Sequence, residues 1–397
     1  MTRLDSVLRN RLHLRSILSI LIACLLYVGL LGEAKPAEVY HQTMAAASDT
    51  AALGLTPQQK KKIDTIFTAF VGKATPGGAI TIIDKNQVVY QKGYGLCRLS
   101  PKQAITTKSL FHVGSVGKQF TALGIMQLYE DGLLDYDDPI GDYFEGLQRF
   151  GTRLTIRRLL NHTSGIADYD EDEELYDAIL TEGDGHPTNA DLMAVLSEQG
   201  DALFTPGRAF HYSNTGYDVL GALIEKLSGQ TYANYLRDHI FVPAKMLATF
   251  ALPNALKRSK VCYSYTEDEE GPVPEKSDPF DLINGSGSTF STVEDFFLYD
   301  QALNNNLLVS KTTLAEAWKP TKLNNGKLSN YGFAWDVVKY RGKPIVAHSG
   351  SWLAFDSYYM RFRNERFSIF VTLNLDYAQP DAEQIAKKIA DICLFGG

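Results

Sequence analysis

Between Thr56 and Val71 the apolar residues Ile63, Ile66, Phe67, Phe70 and Val71 recur with the period of one helix face. A capping Thr56, a first-turn Pro57 and a Gln59 three residues after the cap mark where that helix starts. Two β-rich runs follow, Ala79 to Asp84 and Gln87 to Gly93, around a Lys85-Asn86 turn, and predict a hairpin. Gln119 to Glu130 predicts an amphipathic helix with Phe120, Leu123, Ile125, Met126 and Leu128 on its apolar side. Near the C-terminus, Tyr331 to Tyr340, Lys343 to Ser349, Ser357 to Arg363 and Arg366 to Asn374 predict a strand meander, with turns at Arg341-Gly342 and Asn364-Glu365. A last helix, Asp381 to Leu394, buries Ile385, Ile389 and Ile392.

Strands at both ends and mostly helical signals from about Thr155 to Asp281 imply α+β organisation. The expectation is an antiparallel sheet flanked by N- and C-terminal helices, with an inserted mostly helical domain. A folded unit over 55–397 would divide into an α/β lobe, 55–150 and 285–397, and a helical lobe, 151–284. Glu267 to Asp278, rich in acids and proline, reads as an exposed loop.

The chain has 397 residues, 45% hydrophobic and 21% charged, with a net charge of −7, and is an ordinary globular sequence with material for a large core. Arg3, Arg9, Arg11 and Arg15 precede an uncharged apolar run from Ile17 to Leu31 and Gly32-Glu33-Ala34. That is the pattern of a secretory signal peptide spanning 1–34, with an uncleaved membrane anchor as the alternative. Leu21-Ile22-Ala23-Cys24 resembles a lipobox, but the chain stays apolar beyond Cys24. The expected location is therefore periplasmic or secreted. Without the first 34 residues, which carry four arginines and two acids, the charge moves from −7 to −9, and no basic stripe exists for nucleic acid. Cleavage would leave Cys97, Cys262 and Cys393, enough for at most one disulfide. Proximity of Cys97 and Cys393 is one arrangement; buried free thiols are the preferred reading.

The candidate chemistry begins at Ser115-Val116-Gly117-Lys118, after the short extended segment Ser109 to Gly114. A serine and a lysine three residues apart at a helix start share a face, and the helix dipole favours a developing alkoxide or oxyanion there. Alone, Ser-x-x-Lys is a weak signal. Phe210-His211-Tyr212-Ser213-Asn214 and Ala347-His348-Ser349-Gly350-Ser351 follow in order and make it a constellation.

Ser115 would attack a carbonyl carbon and form an acyl-enzyme, with either Lys118 or Tyr212 as the base that activates it. Asn214 would bind the substrate amide and Lys118. His348, Ser349 and Gly350, at a strand end, would offer alternate side chains and backbone groups to an extended substrate. His162 and His112 read as structural. Histidine and carboxylate spacing gives no metal site, the chemistry requires no cofactor, and no Gly-x-Ser-x-Gly elbow occurs. Asp168, Asp170, Glu171, Asp172, Glu173 and Glu174 read as a solvated loop, or as a device that steers cationic substrates.

Ser-x-x-Lys, Tyr-x-Asn and His-x-Gly in this order resemble the class C β-lactamase and D,D-peptidase superfamily of penicillin-recognising serine hydrolases. The segments Leu159 to Gly165, Thr205-Pro206-Gly207, Tyr217 to Gly229 and Gly285 to Asp295 resemble it too, over a span from about Ile63 to the C-terminus. The resemblance implies a β-lactamase/transpeptidase-like fold with its site between the lobes, and an oxyanion hole formed by the backbone N–H groups of Ser115 and Ser351. It also implies a small-molecule or peptide substrate with an amide or ester bond, as in a D-alanyl-D-alanine carboxypeptidase or an esterase. A β-lactamase and a penicillin-fold protein that binds without turnover are the alternatives. His348 stands where true class C β-lactamases typically have lysine, which would make anion binding depend on pH near neutrality.

Overall fold

The computed structural model describes residues 54–72, 74–198, 202–253, 261–275 and 278–396, so the expected signal peptide or anchor over 1–34 lies outside the described residues. Its first helix, α1 (Pro57–Thr68), is closed at its start by a capping box in which the Thr56 side chain accepts from Gln59 N and Gln59 accepts from Thr56 N. Ile63 and Phe67 form its buried face, in line with the predicted period.

Six strands make the main sheet: β1 (Gly78–Asp84), β2 (Gln87–Tyr94), β3 (Asp336–Tyr340), β4 (Lys343–Trp352), β5 (Phe355–Phe362) and β6 (Phe367–Leu373). Their spatial order is β3-β4-β5-β6-β1-β2, all antiparallel. The chain's two ends meet at β6 and β1, with Gly78 opposite Leu373. Side chains alternate across this sheet. Ile80, Ile82, Ile369 and Val371 pack with Ile63 and Phe67 of α1 and with Ile385 and Ile389 of the C-terminal helix α5 (Ala382–Leu394). Ala79, Tyr359 and Phe370 face the opposite core, where Phe370 stacks on Phe296 of α4 (Val293–Asn304) at 3.5 Å.

That second core runs on through α2 (Lys118–Glu130) and α3 (Asn214–Ser228) to the helical segments between 156 and 236. The predicted amphipathicity of α2 is not what the structure shows. Every residue from Lys118 to Met126 is buried, so the helix is enclosed on all sides up to its last turn, including its polar Gln119 and Thr121, and only Tyr129 and Glu130 are exposed. A small three-stranded sheet joins Phe111–His112 to Thr289–Ser291 and the latter to Phe250–Ala251.

Two further expectations are corrected. The predicted 267–278 loop holds a hairpin, Tyr265–Asp268 with Gly271–Pro274. Cys97 and Cys262 form a disulfide, because Tyr263 N bonds to Cys97 O and brings the two segments together, and Cys393 is the buried free thiol among the described residues.

Candidate active site

Ser115 sits in a 3-10 turn, Gly114–Gly117, immediately before α2, rather than in the first turn of the α-helix. Side chains at i and i+3 eclipse in that geometry. Lys118 Nζ therefore donates to Ser115 Oγ at 3.0 Å. Two further acceptors hold the same ammonium, Asn214 Oδ1 at 2.6 Å and Ser286 O at 2.7 Å. Lys118 is fully buried, and desolvation pulls its pKa below the ordinary lysine value against the opposing charges of Asp218, Asp168 and Asp170.

The turn is pressed against β4. A Cβ on Gly350 would lie 2.1 Å from Val113 O and 3.0 Å from Ser115 N; one on Gly114, whose φ is 54°, would lie 2.5 Å from Ser351 N. Only glycine permits this approach. It sets the backbone N–H groups of Ser115 and Ser351 on either side of one short contact. Glycine matters equally behind Lys118: Gly285, at φ 142°, has room for hydrogen but not Cβ against Tyr217 O, and this places the Ser286 carbonyl on the ammonium.

Ser213 caps α3 by accepting from Gly216 N, so Tyr212 leaves the helix and Asn214 begins it. Both are half-buried beside Ser115. Lys118 Nζ stands 4.9 Å from the centre of the Tyr212 ring. Burial pushes the Tyr212 phenol well above its usual pKa, partly offset by Ser115, and its hydroxyl has no well-formed hydrogen bond among the described residues. Of the two candidate bases, burial thus favours the neutral, proton-accepting form of Lys118 and disfavours the phenolate of Tyr212.

His162, held at φ 55°, ties the Tyr212 loop to its neighbours. Ser213 N–H donates to His162 Nδ1 at 3.1 Å, which leaves the His162 proton on Nε2, 3.2 Å from Tyr331 Oη. Tyr331 Oη is 2.7 Å from His348 Nε2, and His348 Nδ1 is 2.5 Å from Ser349 O. Each partner can satisfy only one direction, so the chain runs from Ser213 N–H through His162, Tyr331 and His348 to the Ser349 carbonyl. Both imidazoles are neutral in it, as burial dictates by lowering both pKa values, that of His348 to about 4.

Matches to known proteins fit this geometry. The family model described as beta-lactamase covers residues 63–394. Penicillin-binding protein 4* of Bacillus subtilis (strain 168) is 32% identical over 354 residues, 85% of this chain and 76% of that protein. The octameric penicillin-binding protein homologue from Pyrococcus abyssi superposes with a TM-score of 0.72 at 28% identity, over 85% of this chain and 77% of that one. A D-stereospecific amidohydrolase from Streptomyces sp. gives a TM-score of 0.65 at 25% identity, over 85% of this chain and 99% of that one. The chain belongs to the beta-lactamase family.

Within this family member, the predicted residues Ser115, Lys118, Tyr212, Asn214, Ser349 and Gly350 come together, with the Ser349 side chain exposed. His348 does not join them as a titrating anion site. Its ring is 3% exposed and committed to Tyr331 and Ser349 O, and burial keeps it neutral at pH 7. The acidic run divides likewise: Asp168 accepts from Asn214 N, Asp172 caps helix 173–182, and Asp170 holds Asn214 Nδ2 at 2.7 Å. Asp168 and Asp170 thus position Asn214, whereas Asp172 closes a helix start.

Sequence reasoning missed Asp218, the Ser286 carbonyl and Tyr331. Asp218, four residues after Asn214 on α3, accepts from Ser286 N at 2.7 Å and Tyr169 Oη at 3.1 Å, and its charge acts on Lys118. A lone acid inside the apolar run Tyr217 to Ile224 was the available signal.

Proposed function

We propose that this protein is a serine hydrolase that forms an acyl-enzyme on Ser115 with small amides or esters, D-amino-acid peptides among them. The observation that carries the reading is the 3.0 Å contact between Ser115 Oγ and a buried, triply held Lys118 Nζ of depressed pKa. Neutral Lys118 takes the Ser115 proton as Oγ bonds to the substrate carbonyl carbon. The N–H groups of Ser115 and Ser351 receive the oxyanion, a contribution worth about 3–4 kcal/mol per donor in acyl transfer. Tyr212, kept protonated by its raised pKa, donates to the leaving amine or alkoxide and recovers a proton from Lys118. Water then cleaves the acyl ester by the same path in reverse, and Ser115 Oγ is released.

Peptidase, amidase or esterase chemistry is favoured over a β-lactamase by His348, a buried neutral ring where a β-lactam carboxylate would require a cation. The names of the similar proteins, a penicillin-binding protein and a D-stereospecific amidohydrolase, support the same choice. Export belongs to the reading as well: the N-terminal Arg-rich and apolar segments support it, as does a Cys97–Cys262 disulfide that suits an oxidising compartment. The test is turnover of a p-nitrophenyl ester, a D-amino-acid amide and a penicillin by wild type and Ser115→Ala. Serine-dependent turnover of the first two with little of the third is expected. Penicillin hydrolysis as the dominant activity would overturn the assignment.

A further inference from the structure

A cavity of about 410 Å³ lies beyond the oxyanion contact, walled by Phe290, Trp352, Leu353, Phe355 and Tyr263. Two of its residues connect directly to the catalytic turn. His112 lines it, and its Nδ1 accepts from Gly114 N at 3.0 Å, one residue before Ser115. Trp352 lines it and follows Ser351, whose backbone nitrogen lies against Gly114 of the same turn. Trp352 and Phe290 both pack on the His112 ring, at 5.7 and 4.8 Å.

β4 also supplies a path to the cavity. β3 pairs with it only as far as Ala347, whereas β5 pairs with it out to Trp352. From His348 to Trp352 the edge away from β5 is therefore taken by no strand among the described residues, and an extended acyl chain can pair with it. That edge ends at Trp352, which lines the cavity.

We propose that this cavity is the acyl-group pocket, and that it selects a bulky aromatic acyl group that is neutral or cationic. The proposal rests on the acyl-enzyme reading above. Size favours it, since an apolar cavity of about 150 Å³ already holds benzene. Charge sets the second preference: Asp281 and Glu275 line the wall, Asp281 accepting from Trp352 Nε1 at 3.3 Å, and no lysine or arginine is among the described residues that line it. An acyl group bearing a carboxylate would meet two like charges there.

The experiment compares kcat/KM for p-nitrophenyl acetate, phenylacetate, 4-carboxyphenylacetate and 4-(aminomethyl)phenylacetate, read as ratios within each variant. Phenylacetate should exceed acetate by about 100-fold, as burial of several carbons requires. Trp352→Ala should cut that ratio at least about tenfold. Leu353→Glu, at an exposed turn, should lower it as well. Asp281→Asn should raise the 4-carboxy ester relative to the 4-aminomethyl ester by about tenfold. A phenylacetate-to-acetate ratio near one, or a ratio indifferent to Trp352 and Leu353, overturns the pocket while leaving the acyl-enzyme intact. If no ester is turned over, fluorine NMR of 4-fluorophenylacetamide decides: binding lost in Leu353→Glu upholds the pocket and sinks the acyl-enzyme, and no binding sinks both.

Discussion

Tyr331→Phe removes one oxygen from the centre of a buried relay and nothing else. The ring contacts with His162 and His348, at 4.8 and 5.7 Å, survive in phenylalanine. What is lost is the donor to His348 Nε2 at 2.7 Å and the acceptor for His162 Nε2–H at 3.2 Å. Both imidazoles are buried, with His162 1% and His348 3% exposed, so water does not replace the missing partner. Each orphaned group costs about 1–3 kcal/mol, and local relaxation brings the expected loss to about 2–4 kcal/mol. Because the relay fixes Ser213 at one end and the Ser349 carbonyl at the other, kcat/KM should also fall by about 10- to 100-fold through misplacement of Tyr212 and β4. Urea unfolding followed by tryptophan fluorescence measures the first effect, ester turnover the second. Nitrogen-15 spectra of the imidazoles should show His162 protonated on Nε2 and His348 on Nδ1 in the wild type, with both signals altered in the variant. Unfolding free energy within about 0.5 kcal/mol of wild type, together with unchanged imidazole signals, would refute the directed relay.

The pH profile follows from the sign of the Lys118 shift. Its neutral form accepts the proton and its pKa is lowered, so log kcat/KM should rise with unit slope and level off below the ordinary lysine value of 10.5. His348, pulled down to about 4, should add no inflection near pH 6.5; one that vanished in His348→Gln would contradict its burial. Gly350→Ala forces a Cβ to within 2.1 Å of Val113 O, and kcat should drop by at least about 100-fold as the oxyanion contact opens; near-normal turnover would contradict the packing. The disulfide closes a separation of 165 residues, so Cys262→Ser should lower unfolding free energy by about 2–5 kcal/mol, and an unchanged urea midpoint would argue against it.

Local patterns made much of this legible in the chain. The sheet strands follow β-rich runs bounded by turn residues, and Ser115 and Lys118 became legible only with the Tyr212–Asn214 and His348–Gly350 segments following them in order. Tyr331 was misread. Its run to Tyr340 has strand character, but Ala334 turns at φ 60° and Phe333 N bonds to Ala317 O, so the strand begins only at Asp336. That detour is what carries the Tyr331 hydroxyl between two histidines 169 and 17 residues distant in sequence. His348 looked like a titrating group because its cover comes from that distant segment. Cys97 and Cys262 were equally opaque, since their pairing depends on a backbone bond between segments that no local periodicity connects.

The central claim, acylation of Ser115, is tested most directly by intact-protein mass after brief exposure to a p-nitrophenyl ester and, separately, to a penicillin, with acid quenching at successive times. The account predicts a mass increase equal to the acyl group in the wild type, absent in Ser115→Ala and mapping to the peptide that carries Ser115. An adduct of equal yield in Ser115→Ala, or turnover that persists without Ser115, would contradict it.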